Sequence, residues 1–314
     1  GACRVRCHRY AGAERIFADL EQHVPGGPDA HRYRAYALLA RSYAAWEVFD
    51  WGQAQAALAA LLKLPLPPDL EPHHARLQAQ FAMLQRLGDD HDHGHLTAQH
   101  PPLSLLCDLD RVLPLLGTLH ANARRRSAQG RYDVAAMFHY RCLELMSQHR
   151  LATHGILTEK PDFTAALRQH PSLEQGYRKV QKKVQQERKR QGQKQGNIYG
   201  LPDRPFGLFV GYMLLAAMND PLVQGYPIKN IEDRTESRNK SMLAHGFRLI
   251  SENEYHEFRN VVHTMLARFF QVGGRDQPAW EAQAQFLNPF AQQEEPSIYD
   301  HDHDPDPDPP DWRR

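Results

Sequence analysis

The sequence predicts an all-α protein: two helical modules, then a tail that buries no core. Three observations carry this. Apolar residues recur at helical spacing through most of residues 11–272. The only alternating, strand-like piece is "CRVRCHRY" at the very start. After about Asn288 the chain reads "AQQEEPSIYDHDHDPDPDPPDWRR", whose Pro and Asp content predicts disorder.

The elements follow in order. "AGAERIFADLEQHV" (11–24) places Ile16, Phe17 and Leu20 on one face. "DAHRYRAYALLARSYAAWEVFD" (29–50) is expected to start at an Asp29 N-cap and to turn Tyr36, Leu39, Tyr43, Trp46, Val48 and Phe49 inward. "WGQAQAALAALLKL" (51–64) is a third helix, stopped by "PLPPDLEP". "PHHARLQAQFAMLQRL" (72–87) is a fourth, and "GDDHDHGH" (88–95) reads as a polar loop. A long helical region is expected from Pro102 to about Arg126. "GRYDVAAMFHYRCLELMSQHRL" (130–151) holds Ala135, Phe138, Cys142 and Leu145 in register. Residues 177–195 turn basic and polar, and 202–218 return to an apolar helix. Last comes "SENEYHEFRNVVHTMLARFFQV" (251–272), with a Ser251 N-cap and Glu254 at N3, a capping box.

The chain has 314 residues, 41% apolar and 24% charged, so a packed core is expected. Net charge is +1, which excludes a bulk-charge argument for nucleic acid and leaves only local clusters. Four scattered cysteines, with no CxxC pair, argue against a zinc ribbon or a disulfide framework, and so for a reducing, cytoplasmic setting. No run of about 18 apolar residues predicts a membrane span, and no signal peptide is legible. The chain opens without Met, which reads as missing upstream sequence.

"SRNKSMLAHGF" (237–247) carries the chemistry. Arg238 and His245 stand seven residues apart, so on one helix they would share a face, with Ser241 and Met242 between them. A permanent cation beside a titratable imidazole suits phosphate chemistry on RNA. The 2′-OH is an internal nucleophile, a His near pKa 6.5 moves its proton, and Arg stabilises charge on the phosphoryl oxygens. That route needs no metal. Spacing alone also allows a surface Arg and a helix-terminal His, with Gly246 as the C′ residue. Glu232, Asp233 and Glu236, just upstream, read as acids favouring a helix N-terminus.

"RNKSMLAHGF" resembles the catalytic signature of the HEPN ribonuclease superfamily. Together with "YAAWEVFDWGQAQAAL" (43–58) and "GRYDVAAMFHYRCLELMSQHRLATHGI" (130–156), in that order, the chain resembles the CRISPR-associated CARF–HEPN nucleases of type III systems over roughly residues 10–275. The resemblance implies a Rossmann-like sensor that binds cyclic oligoadenylate, then a helical linker, then a HEPN bundle that dimerises. It places Arg238, Asn239 and His245 at the catalytic positions. This chain is expected to hold little or none of that sensor. The expected divisions are 1–10 as a remnant of the sensor, 11–100 as linker, 101–288 as the HEPN-type nuclease and 289–314 as tail. No cofactor is expected, and the activator would belong to the absent sensor. Expected partners are single-stranded RNA and a second copy of the chain, not DNA or a membrane.

Other candidates are weaker. "YRKVQKKVQQERKRQGQKQ" (177–195) holds eight Lys or Arg and one Glu. Through Lys182 and Lys183 it would guide an RNA backbone, or else it is a solvated, mobile insertion. Arg141 would orient substrate or pair with Glu144 at i+3, and Ser241 would contact substrate. "DDHDHGH" (89–95), "DHDHD" (300–304) and the Cys3/Cys7 pair have ligand chemistry without a rigid frame, and no functional metal site is assigned. The leading reading is a metal-independent endoribonuclease of CRISPR defence. Alternatives are a HEPN toxin-type ribonuclease and a non-catalytic helical RNA-binding adaptor.

Overall fold

A computed structural model describes residues 10–24, 26–92, 102–194, 196–243 and 246–289, the side chains of 90–92 excepted. The strand-like start, the 300–304 stretch, the boundary near residue 100 and the tail beyond 289 lie outside these residues, as does most of the 88–95 loop. Among the described residues the chain is all-α, and the β-structure is one isolated bridge between Ser241 and Arg248. No described helix is long and apolar enough to cross a membrane.

The first core is built by α1 (Tyr10–His23), α2 (Pro28–Glu47), α3 (Trp51–Leu62) and α4 (His74–Asp92), with a 3-10 turn at Glu71–His73. Several expectations shift here. Pro28 at N1 starts α2 and Gly27 is its N-cap, so Asp29 sits in the first turn instead. Tyr36, Leu39, Tyr43 and Trp46 are buried as their spacing predicts. Val48 is exposed, because α2 ends at Glu47 and Phe49 turns the chain at φ 65. Asp50 then caps α3, accepting from Gln53 N at 3.0 Å. The helix α4 runs on to Asp92, through part of the expected polar loop.

The second core is organised on α7 (Tyr132–Thr153). It packs against α5 (Leu103–Cys107), α6 (Leu109–Ala128), α10 (Leu208–Ala217), α11 (Ile228–Asn239) and α12 (Glu252–Gly273). The expected long helix at 102–126 is divided at Asp108, which caps α6 by accepting from Asp110 N. The Ser251/Glu254 capping box forms as read, and Gly274, at φ 61, ends α12 in the left-handed region. Three helices were not expected from the residue pattern: α8 (Thr164–Gln169), α9 (Leu173–Arg190) and α13 (Gln277–Ala284). The helix α9 corrects the reading of 177–195 as a mobile insertion. Leu173, Tyr177, Gln181 and Val184 are buried, and the helix packs on α10.

Polar ties join the two cores. Trp46 Nε1 donates to Thr118 Oγ1 at 2.9 Å, and Arg126 pairs with Glu47 at 2.9 Å. The segment after α13 returns to the first core, where Phe286 stacks on Tyr43 at 4.1 Å under the Arg125 guanidinium.

Three histidines meet inside the second core. His120 on α6, His139 on α7 and His263 on α12 have ring centroids 5.5–6.4 Å apart. His139 is fully buried, and neither ring nitrogen has a hydrogen-bond partner among the described residues. Burial is the main cause holding all three below the ordinary imidazole range, His120 at about 3. Arg124 reinforces the depression for all three, and Arg259 for His139 and His263. Glu281, 3.9 Å from His120 Nε2, opposes it at His263.

An unfolded chain protonates histidine below about pH 6.5. The folded chain resists, so stability falls as pH falls through 6.5, by at most about 1.4 kcal/mol per histidine per unit. Thermal melts from pH 7 to 5 should show this loss, and His139→Leu should make it shallower. Equal pH slopes for the two proteins would contradict the assignment.

Candidate active site

The site is built on α11. Its N-terminal half is anchored by buried charge: Lys229 Nζ lies 2.9 Å from Glu232 and 2.7 Å from Asp233, and Arg188 of α9 also pairs with Glu232. Glu232 and Asp233 neutralise buried Lys229 within the helix and Glu236 pairs with Lys240, which corrects their reading as N-terminal residues. Ile231, fully buried, fixes the same face to the core.

The helix ends at Asn239, and this overturns the shared-helix-face argument. Lys240 N still donates to Glu236 O at 3.0 Å, but Ser241 leaves the helix and pairs with Arg248. Met242 N donates to Arg248 O at 2.9 Å, and Gly246 N donates to Ser241 O at 3.0 Å. Beyond the turn, Arg248 pairs with Glu254 at 2.6 Å and Ile250 N donates to Asp133 Oδ1 at 2.9 Å. Gly246 is no helix C′ residue. A Cβ there would overlap the Lys240 carbonyl, so only glycine lets the turn close this tightly. Ala244 and His245 lie outside the described residues.

Arg238 occupies the last turn of α11. Its guanidinium carbon stands 4.6 Å from the ring centroid of Tyr140 on α7, and Nη1 donates to Asn239 Oδ1 at 3.1 Å. Its Nε is buried without a hydrogen-bond partner, and no carboxylate pairs with it among the described residues. An aromatic face holds a guanidinium in place without neutralising it, which leaves the charge available to a phosphate. Burial raises the Tyr140 phenol above its ordinary range, with Glu144 adding to the effect. Tyr140 therefore stays neutral.

The remaining predicted residues divide. Asn239 is exposed beside Arg238. Ser241 is 1% exposed, and its hydroxyl has no partner among the described residues. Arg141 donates to Glu144 Oε2 at 2.7 Å and to Gln148 Oε1 at 3.0 Å, the structural pairing that was one of its two readings. Lys182 and Lys183 are exposed on α9. The sequence reading missed the contact of Tyr140 with Arg238, because no local pattern links residues so far apart.

The family description "Csm6 HEPN domain" matches residues 106–268, more than half of the chain, and spans α7, α11 and the turn after it. The chain belongs to the Csm6 HEPN family. A second description, "Csm6 6H domain", matches residues 7–87. A curated relative, the "CRISPR system endoribonuclease Csm6" of Thermus thermophilus, is 33% identical over 137 residues. That match covers 42% of this chain and 27% of the relative.

The turn after α11 makes a sharp prediction. Gly246→Ala forces Lys240 and Gly246 apart, so the Met242 and Ile250 amides should lose hydrogen-exchange protection while amides in the middle of α12 keep theirs. Unchanged protection at Met242 would contradict the tight approach.

Proposed function

We propose that this member of the Csm6 HEPN family is a metal-independent endoribonuclease that cleaves single-stranded RNA in CRISPR antiviral defence. The observation that carries the reading is Arg238, held on the Tyr140 ring with its charge unneutralised at the end of α11. The "RNKSMLAHGF" signature and the name of the Thermus thermophilus relative support it.

Arg238 binds the scissile phosphate and stabilises the charge gathering on its oxygens as the 2′-OH attacks. His245 moves the proton at the 2′-OH or at the leaving oxygen. Asn239 donates to a phosphate oxygen and fixes its orientation. Ser241 has a buried hydroxyl still able to bond and acts close to the same turn. Arg141, next to Tyr140 in the chain, is tied to Glu144 and Gln148 and takes no direct part. Activation by cyclic oligoadenylate is part of the proposal and belongs to a sensor outside residues 11–288.

The working site is proposed to be shared between two copies. One Arg and one His supply a single cation and a single acid–base group, and a two-fold axis would double both. The apolar faces of α10 and α12 are buried in their own core, so the contact is sought elsewhere. The candidate contact is the turn itself, where Met242 is 55% exposed, Leu243 50%, Phe247 95% and Leu249 62%. Four exposed apolar side chains around one turn fit a self-complementary contact better than open solvent.

The test is cleavage of labelled single-stranded RNA and DNA in EDTA. RNA alone should be cut, leaving a 2′,3′-cyclic phosphate or its hydrolysed product. Activity lost on chelation and restored by Mg²⁺ or Mn²⁺ would contradict the mechanism. His245→Ala should lower turnover by roughly 10²–10⁴-fold with RNA affinity nearly intact. Arg238→Ala should lower both, and Asn239→Ala should be milder. Tyr140→Leu should cost roughly 2- to 30-fold in turnover, with Tyr140→Phe close to wild type. Wild-type turnover by His245→Ala would remove it from the mechanism.

A further inference from the structure

The exposed side of α9 has no structural task, and what lies beside it gives it one. On a helical wheel of about 100° per residue, Arg178, Lys179, Lys182, Lys183, Lys189 and Arg190 fill one continuous arc of about 140°. All six are exposed. Among the described residues, only Arg178 of these six has an acidic partner at hydrogen-bond distance, Glu174 at 2.8 Å. The opposite arc is fastened down by Leu173, Tyr177, Gln181 and Val184. A helix packed this firmly presents its cations at fixed spacing rather than on a floppy chain.

The segment from Gly196 to Gly200 runs back along one border of that arc. Gln181, itself buried, holds it with a paired contact: Nε2 donates to Tyr199 O at 2.9 Å and Oε1 accepts from Tyr199 N at 2.9 Å. One turn on, Gln185 Nε2 donates to Gly196 O at 2.5 Å. Both backbone groups of Tyr199 are thereby fixed, yet its side chain is left 64% exposed, with Ile198 at 40% beside it. A rigidly mounted, uncovered aromatic ring next to a row of cations is the pairing that binds single-stranded nucleic acid. The cations track phosphates, and the ring stacks a base whatever its identity. Two contacts connect this surface to the site: Arg188 of α9 pairs with Glu232 of α11, and Gln193 accepts from Lys229 Nζ at 3.0 Å. From Glu232 to Arg238 is a rise of only about 9 Å along α11.

We infer that the α9 basic face and Tyr199 form an RNA-docking track that leads single-stranded RNA to Arg238. This rests on the ribonuclease reading and adds to it a binding surface outside the motif. It predicts sequence-tolerant capture, since neither lysines nor a stacked tyrosine reads a base edge.

The test is equilibrium binding of a fluorescent single-stranded oligouridylate to the full chain carrying His245→Ala, across a salt titration. K182A/K183A should weaken binding roughly tenfold at about 0.1 M salt and lower the slope of log K against log salt by about 1.4. Tyr199→Ala should weaken binding by roughly 5- to 150-fold with the slope unchanged, and Tyr199→Phe should bind like the parent. Melting temperatures of these surface variants check that the fold is kept. Parental affinity and slope in both K182A/K183A and Tyr199→Ala would overturn the track. If those variants bind normally while the wild-type chain still cleaves RNA, the inference fails and the ribonuclease reading stands. A His245→Ala chain that does not bind RNA at all would overturn the track, and a wild-type chain that cannot cleave RNA would separately overturn the reading.

Discussion

The placement of one guanidinium depends on almost everything else in this fold. Arg238 stands on Tyr140, 98 residues earlier in the chain, and the two meet only because α7 is the axis of the second core. Buried residues along α7 hold its backbone still, and half-buried Tyr140 turns its ring to α11. Fixing that ring fixes the cation. A carboxylate partner would hold Arg238 equally well but would cancel the charge a phosphate needs. The rest of α11 is pinned by the Lys229, Glu232 and Arg188 cluster, so its last turn does not drift.

The first core reaches the second through few but specific ties. Trp46 is wholly buried and donates to Thr118 of α6, while Glu47 takes Arg126 from the same helix. The chain then returns after α13 to set Phe286 between Tyr43 and Arg125. Removing a large buried aromatic such as Trp46 costs about 3–5 kcal/mol, a large share of a domain's stability. Contacts thus run from the first core to α6 and from α6 to α7, the helix that carries Tyr140.

Much of the fold was legible in the sequence, since long amphipathic helices follow from spacing alone. The 251–272 helix was read with both members of its capping box, and α2 and α7 were read within a few residues. What stayed hidden depended on distant partners. The stripe of α9, Leu173, Tyr177, Gln181 and Val184, is thin and includes a polar residue, so the seven cations of the helix dominated the reading. The end of α11 was hidden because "KSMLAHGF" has no helix breaker before Gly246. The helix gives way to a tight turn in which Ser241 pairs with Arg248 and Gly246 closes on Lys240, and the turn is tied to distant Asp133 through Ile250 N. For the candidate site, Arg238, Asn239 and His245 were named from the motif, whereas the contact of Arg238 with Tyr140 and the fixed position of Tyr199 were not legible. Those two tyrosines are joined to the site by packing and by glutamine side chains, which leave no periodic trace.

The central claim is that the exposed turn following α11 brings two copies together and completes one site from both. It is tested most directly by mixing two dead chains. Arg238→Ala and His245→Ala proteins would be unfolded together and co-refolded, with differently tagged chains to isolate the mixed dimers. A mixed dimer keeps one Arg238 and one His245, contributed by different chains. The account predicts that isolated mixed dimers recover RNA cleavage in EDTA while each parent remains inactive. Mixed dimers that demonstrably form and cleave nothing would contradict a site shared in this way.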